Sequence, residues 1–310
     1  MSEQQTKAIA AGIISGAFWG TPFLAPLILS EYSSIEIAFA RFLFFGVISL
    51  VSLPRLIVLL RKFTLADFLQ AILICATGFW LYTITLFAGV KLTNGVVAAL
   101  IIGTLPLTIT LCSKPQINYK LICGLTLISV GIIVLLAVPL LYSHGPESSL
   151  SNVHLSGIFL LLIALVMWTW YAIVNSRFIL KHSQMSSLDY TSLMGILSLI
   201  FMLPIFLVTH DVKPMLLHSQ FFQLILWGGI MGIGASWVAN FFWAYCCRYT
   251  PASIYGTLIV SETVFGLIYS FIFQHRFPYL NESIAIVLLI FGVIATIRSQ
   301  QSRRAAGSSA

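Results

Sequence analysis

Phe18-Trp19-Gly20-Thr21-Pro22 and Met167-Trp168-Thr169-Trp170-Tyr171 stand 149 positions apart, each inside a long apolar run. The likeness continues down the chain. Trp80 matches Trp237, Lys91 matches Arg248 and Thr93 matches Thr250, all at an offset of 157. Gly131 in Val130-Gly131-Ile132-Ile133 matches Gly292 in Phe291-Gly292-Val293-Ile294 at an offset of 161. The offset drifts between loops, where insertions are tolerated. A chain that resembles itself once over this span is read as a duplication.

Composition says what is duplicated. Of 310 residues, 59% are hydrophobic and 8% charged, with a mean hydropathy of +1.00. Soluble domains carry about 25% charged residues, so this chain lacks the polar shell a water-soluble globule needs. Disorder is excluded too, because disordered chains are poor in apolar residues. The chain reads as an all-α polytopic membrane protein.

A membrane-crossing helix needs about 20 mostly apolar residues. Ten such runs are present: Ala8–Leu29, Ile35–Leu53, Leu65–Val90, Asn94–Cys112, Tyr119–Leu141, Leu155–Asn175, Leu188–Thr209, Phe221–Tyr245, Ala252–Phe273 and Glu282–Ile297. The first is too long for a signal-peptide core and is expected to stay in the mature protein. Residues 8–141 form one five-helix repeat and residues 155–297 the other. Five is odd, so the second repeat enters from the opposite side and runs inverted, as in many secondary transporters.

The net charge of +7 invites a nucleic-acid reading, but the cations are spread between apolar runs and not gathered on a soluble segment. They set topology instead. With the N-terminus in the cytoplasm, twelve of the 16 Lys and Arg residues fall inside, Lys91, Lys213 and Arg276 fall outside, and Arg41 lies within a span. Both termini are therefore expected in the cytoplasm. The five cysteines show no C-x-x-C spacing and read as small apolar side chains.

These features carry a family resemblance. Two five-span repeats, Trp19-Gly20-Thr21-Pro22-Phe23 in the first helix, Ala40-Arg41-Phe42 in the second, and Lys91-Leu92-Thr93-Asn94-Gly95 opening the fourth are similar to the EamA type of the drug/metabolite transporter superfamily. The resemblance covers about residues 8–298. One departure is clear: Ser113-Lys114-Pro115 and Gln274-His275-Arg276 stand where the family often has a Gly-Glu-Arg-like turn. The resemblance implies transport of amino acids or other metabolites and does not fix the solute.

Candidate site residues follow from helical spacing, since positions i, i+3, i+4 and i+7 share a face. In the first helix this face holds Trp19, Pro22, Phe23 and Pro26, which the repeat maps onto Trp168, Tyr171, Ala172 and Asn175. Trp80, Thr83, Ile84 and Phe87 map likewise onto Trp237, Asn240, Phe241 and Ala244. Tryptophan favours the membrane interface, yet these four lie near mid-span. They are read as the wall of a central cavity, with packing between helices as the alternative. Tyr171 and Asn240 add polar tips. Glu262 is an ionisable group deep in a span, and such groups are functional candidates. It is expected to pair with a cationic part of the solute or to carry a coupling proton. Glu36 and Arg41 read as structural, with Arg41 snorkelling toward water.

Gly12, Gly16 and Gly20, and again Gly228, Gly232 and Ser236, recur every fourth residue and read as close-packing faces. Pro22, Pro26 and Pro106 interrupt helices and are candidate hinges. There is no nucleotide-binding G-x-x-x-x-G-K-[ST], no zinc H-E-x-x-H, and no ligand spacing among the six histidines. No cofactor or metal is expected. The leading reading is a secondary transporter of an amino-acid-like or aromatic solute, moved outward across the bacterial inner membrane. The alternatives are a carrier of organic cations such as quaternary amines, and a channel or scaffold. The partners are then the small-molecule solute, the lipid bilayer and a coupling proton.

Overall fold

In lipid a backbone must satisfy its own hydrogen bonds, and a helix does so within one segment. The computed structural model describes residues 3–23, 25–29, 31–92, 101–112, 118–142, 155–273, 275, 277–278 and 280–307, and every regular element among them is helical. In chain order α1 is Glu3–Trp19 and α2 is Ser34–Leu60. Helix α3 joins Leu65–Cys75, Ala76–Trp80 and Leu81–Leu92. The described part of α4 is Leu105–Cys112, and α5 is Tyr119–Tyr142. Then come α6 at Leu155–Lys181 and α7 at Ser187–Thr209. Helix α8 joins Phe221–Gly229, Ile230–Val238 and Ala239–Tyr249. Helix α9 joins Ala252–Leu258 and Val260–Phe273, and α10 is Leu280–Gly307. The expected start of the fourth span, with Thr93, Asn94 and Gly95, and the turns at Ser113-Lys114-Pro115, Gln274 and Arg276 lie outside the described residues.

Five of these helices are long and apolar enough to cross a membrane: α2, α3, α6, α7 and α8. Tyr119–Val134, Ile254–Gly266 and Ser283–Thr296 are shorter apolar stretches. Val51 and Val208 are 69% and 86% exposed, an expensive arrangement in water and a natural one against lipid chains.

The breaks have local causes. Helix α1 stops at Trp19 because Pro22 has no N–H to give the Phe18 carbonyl; the Thr21 hydroxyl donates to it instead, at 2.8 Å. A 3₁₀ turn at Thr21–Phe23 and a short helix at Ala25–Ile28 follow. Helix α2 runs on past the expected end at Leu53, because Pro54 begins a fresh helical stretch where its missing donor costs nothing. Helix α9 breaks at Ile259, and the fourth-span segment turns at Gly103-Thr104 just before Pro106.

The packing respects the duplication. Helix packing joins α2 with α7, α4 with α9, α5 with α10, α1 with α8 and α3 with α6, and also α2 with α8, α3 with α7, α1 with α9 and α4 with α6. Exchanging each helix for the one five places on leaves this set unchanged. Single residues obey the same exchange. A Cβ on Gly292 would lie 2.8 Å from the Gly124 carbonyl oxygen, and one on Gly131 would lie 3.1 Å from that of Ala285. At the offset of 161, Gly131 corresponds to Gly292 and Gly124 to Ala285, so the two contacts are one contact repeated. The capping boxes Ser33 with Glu36 on α2 and Ser186 with Asp189 on α7 correspond in the same way.

Candidate substrate site

Two runs of small residues bring the charged helices together. On α1, a Cβ at Gly16 would sit 2.9 Å from the Glu262 backbone nitrogen, and one at Gly20 would sit 2.8 Å from that of Gly266. The backbones of α1 and α9 therefore nearly touch beside Glu262. The Tyr269 hydroxyl ties the same pair by donating to the Ala17 carbonyl at 2.9 Å. On α8, a Cβ at Gly228 would lie 2.9 Å from that of Ala40, and one at Gly232 would lie 2.6 Å from that of Phe44. One turn further on, the Arg41 Nε–H donates to the Ser236 hydroxyl at 2.8 Å. The first run seats α9 on α1, and the second seats α2 on α8.

Arg41 thus behaves differently from the sequence expectation. Its Nε–H is held across the bundle by Ser236. Glu262, the Arg41 guanidinium and the Tyr82 hydroxyl lie within one another's electrostatic reach. All three side chains are only partly buried although they lie between helices. Among the described residues no ion pair joins Arg41 to Glu262, and neither the Glu262 carboxyl nor the Tyr82 hydroxyl has a hydrogen-bond partner. The break at Ile259 puts Glu262 in the first turn of Val260–Phe273. The partial positive charge of a helix N-terminus favours a carboxylate there.

Beside this polar group stands an aromatic one. The Trp19 and Trp168 rings meet edge to face at 6.0 Å, and Trp243 closes the triangle at 5.0 Å from Trp19 and 6.1 Å from Trp168. Tyr82 reaches Trp168 at 6.4 Å, linking the polar group to the aromatic one. Tyr171 packs on Trp168 at 5.4 Å and is buried, its ring seated on Gly78.

Among the described residues, no other sequence candidate makes a ring contact with this triangle. Trp80 stacks on Phe201 of α7 at 5.7 Å. Trp237 is half-buried in the core, and its indole N–H has no hydrogen-bond partner. The Asn240 amide donates at 2.6 Å to the Ser236 carbonyl of its own helix. Phe241 packs on its neighbour Phe242 at 5.4 Å. The Phe23 and Pro26 side chains lie outside the described residues.

Trp243, Arg41, Ser236 and Tyr82 were not singled out as site residues from the sequence. For Trp243 the cause is backbone geometry. Ala76–Trp80 of α3 and Ile230–Val238 of α8 are π-helical, and these are equivalent stretches of the two repeats. A π turn takes more residues than an α turn, so the face drawn from Trp237 shifts beyond it: Asn240 and Ala244 stay buried, but Trp243 is buried in place of Phe241. The face buried after the wide turns carries Asn240, Trp243 and Ala244. Such turns concentrate at functional sites.

The ends of the bundle are tied by polar contacts. Asp67 at the start of α3 accepts from Lys181 at 2.6 Å and lies 3.2 Å from His182, both at the end of α6. Arg55 pairs with Asp189 at 3.0 Å. At the opposite end, Ser33 bonds His210 at 2.9 Å.

A duplicated helical bundle with a polar and aromatic site between its halves defines a class. The sequence profile of the EamA-like transporter family matches this chain twice, over residues 6–137 and 155–298, and the chain belongs to that family. It is a membrane transporter of small solutes. Among its relatives is the inner membrane protein YtfF of Escherichia coli (strain K12), 28% identical over 318 residues, covering 96% of this chain and 97% of the relative. A crystal structure of a protein with 18% sequence identity superposes with a TM-score of 0.74, covering 96% of this chain and 98% of the other, and shares the fold.

Proposed function

We propose that this chain is a secondary carrier of an amino-acid-like or aromatic solute, which it moves outward across a bacterial inner membrane. Ten crossings, arranged as the inverted halves 8–141 and 155–297, would rock about the shared site with both termini in the cytoplasm. The observation that carries this reading is the Trp19, Trp168 and Trp243 triangle beside Arg41 and Glu262. It draws on both halves, and a site at a repeat interface can be exposed to either side in turn. An aromatic solute stacks on such rings at offset or edge-on geometry, each pair contributing about 0.5–1.5 kcal/mol beyond burial.

Glu262 serves as the ionisable group for a coupling proton. An organic cation is the second reading, favoured by Glu262 beside aromatic rings and opposed by the guanidinium of Arg41. Counterflow in proteoliposomes tests the carrier reading. Labelled phenylalanine outside should accumulate faster when unlabelled phenylalanine is loaded inside, because only a carrier shows such trans-stimulation. Absence of trans-stimulation across amino acids, aromatic acids and amines would remove it. Glu262→Gln should leave the fold intact and abolish the response to an imposed pH gradient; an unchanged response would remove the proton role.

A further inference from the structure

The carrier reading names a broad solute class, and the surroundings of Arg41 narrow it. We propose that Arg41 is the specificity-determining residue, taking the carboxylate of the solute while Glu262, once it has released its proton, takes the ammonium group, so that the site selects a zwitterion over a plain cation or a plain acid. This rests on the carrier site described above.

An arginine within a membrane span is costly and is kept where it has work to do. Its guanidinium offers five N–H donors in a rigid fork. Here Ser236 engages Nε at 2.8 Å. The terminal nitrogens have no hydrogen-bond partner among the described residues, and the side chain retains accessible surface. Two parallel N–H groups match the two oxygens of a carboxylate, a geometry lysine cannot reproduce.

Glu262 likewise has no hydrogen-bond or ion-pair partner among the described residues, and each charge lies in the other's field. Direct pairing would be the ordinary fate of two opposite charges removed from water. Here the two stay beyond ion-pairing distance, with α2 seated on α8 at Gly232 and α9 seated on α1 at Gly16. A solute with one positive and one negative group bridges that separation. A quaternary amine would satisfy Glu262 and meet the Arg41 charge, whereas a simple carboxylate would meet the opposite conflict. The Trp168 ring, 6.4 Å from that of Tyr82, gives this polar group an aromatic neighbour.

The test uses the full chain purified in detergent and three probes of similar size: phenylalanine, phenethylamine and 3-phenylpropionate. Tryptophan fluorescence quenching reads binding without requiring transport. Phenylalanine should bind at least tenfold more tightly than either probe lacking one charge. Arg41→Gln should lose that preference over phenethylamine while keeping a wild-type melting profile. Ser236→Ala, a change to the positioning residue, should reduce the preference over phenethylamine in part. Arg41→Lys should fail to restore it.

Equal binding of phenylalanine and phenethylamine by the wild type, or a preference retained in Arg41→Gln, overturns the proposal. If Arg41→Gln does not fold, a preference unaltered in Ser236→Ala overturns it equally. Failure of all three probes to bind also overturns it. Charge-selective binding without counterflow would support the assignment of Arg41 and count against the carrier reading alone.

Discussion

Replacing Gly16 by alanine adds one methyl group at the closest approach of α1 to α9. The new Cβ would lie 2.8 Å from the Ser261 Cβ and 2.9 Å from the Glu262 nitrogen, with the Ser261 hydroxyl closer still. Ordinary contact begins at 3.4 Å, so the backbone at Glu262 is short by 0.5 Å. Rotating Ser261 would relieve its hydroxyl but not the Cβ or the backbone, and that hydroxyl already donates to the Leu258 carbonyl at 2.6 Å. Helix α9 must therefore retreat from α1, displacing Glu262 relative to Arg41. Overpacking of this kind costs about 1–3 kcal/mol. A solute that needs both charges would lose affinity on the same scale, roughly five- to 150-fold at about 1.4 kcal/mol per tenfold. Melting curves of the detergent-purified protein and concentration-dependent counterflow measure the two effects separately. Gly234→Ala is the control, because its Cβ would meet only the Phe18 ring edge at 3.3 Å, and it should cost little in either assay. The reasoning is refuted if Gly16→Ala matches wild type in both assays, or if Gly234→Ala is the more damaging of the two.

Trp168→Ala should destabilise by about 3–5 kcal/mol, the usual range for an emptied aromatic site, and abolish solute binding; Trp170→Ala, at a ring 38% exposed, should change neither. Similar losses from both substitutions would show that Trp168 has no special place. Asp67→Asn removes the carboxylate that Lys181 and His182 share, so the melting temperature should fall by several degrees while solute affinity stays level; an unshifted melting curve counts against a stabilising tie. Reporter fusions after Ser148 and after Arg298 should report opposite sides of the membrane, and the same side for both would overturn the inverted arrangement.

The helices and their duplication were legible because both are written locally or by internal comparison. Apolar run length fixes helical segments in a solvent that cannot hydrogen-bond to backbone, and the offsets of 149, 157 and 161 expose the repeat without any structure. The Gly12-Gly16-Gly20 and Gly228-Gly232-Ser236 runs announced close helix approaches for the same reason. Their partners were not written there. Only the tertiary structure decided that the first run receives α9 at Glu262 and the second receives α2 at Arg41.

The site divides along the same line. The repeat match relates Trp19 to Trp168, but not that they touch, nor that Trp243 joins them while Trp80 stacks on Phe201 and Trp237 lies outside the ring triangle. Face arithmetic assumes 3.6 residues per turn, and the π-helical stretches at Ala76–Trp80 and Ile230–Val238 break that assumption in both halves. The partner of Arg41 was not legible for a second reason. The depth of Arg41 along α2 suggested a side chain reaching for water, whereas its hydrogen-bond partner lies 195 positions away in sequence. Local patterns report what a segment must be in lipid; which unpaired charge faces which ring depends on how the two halves pack.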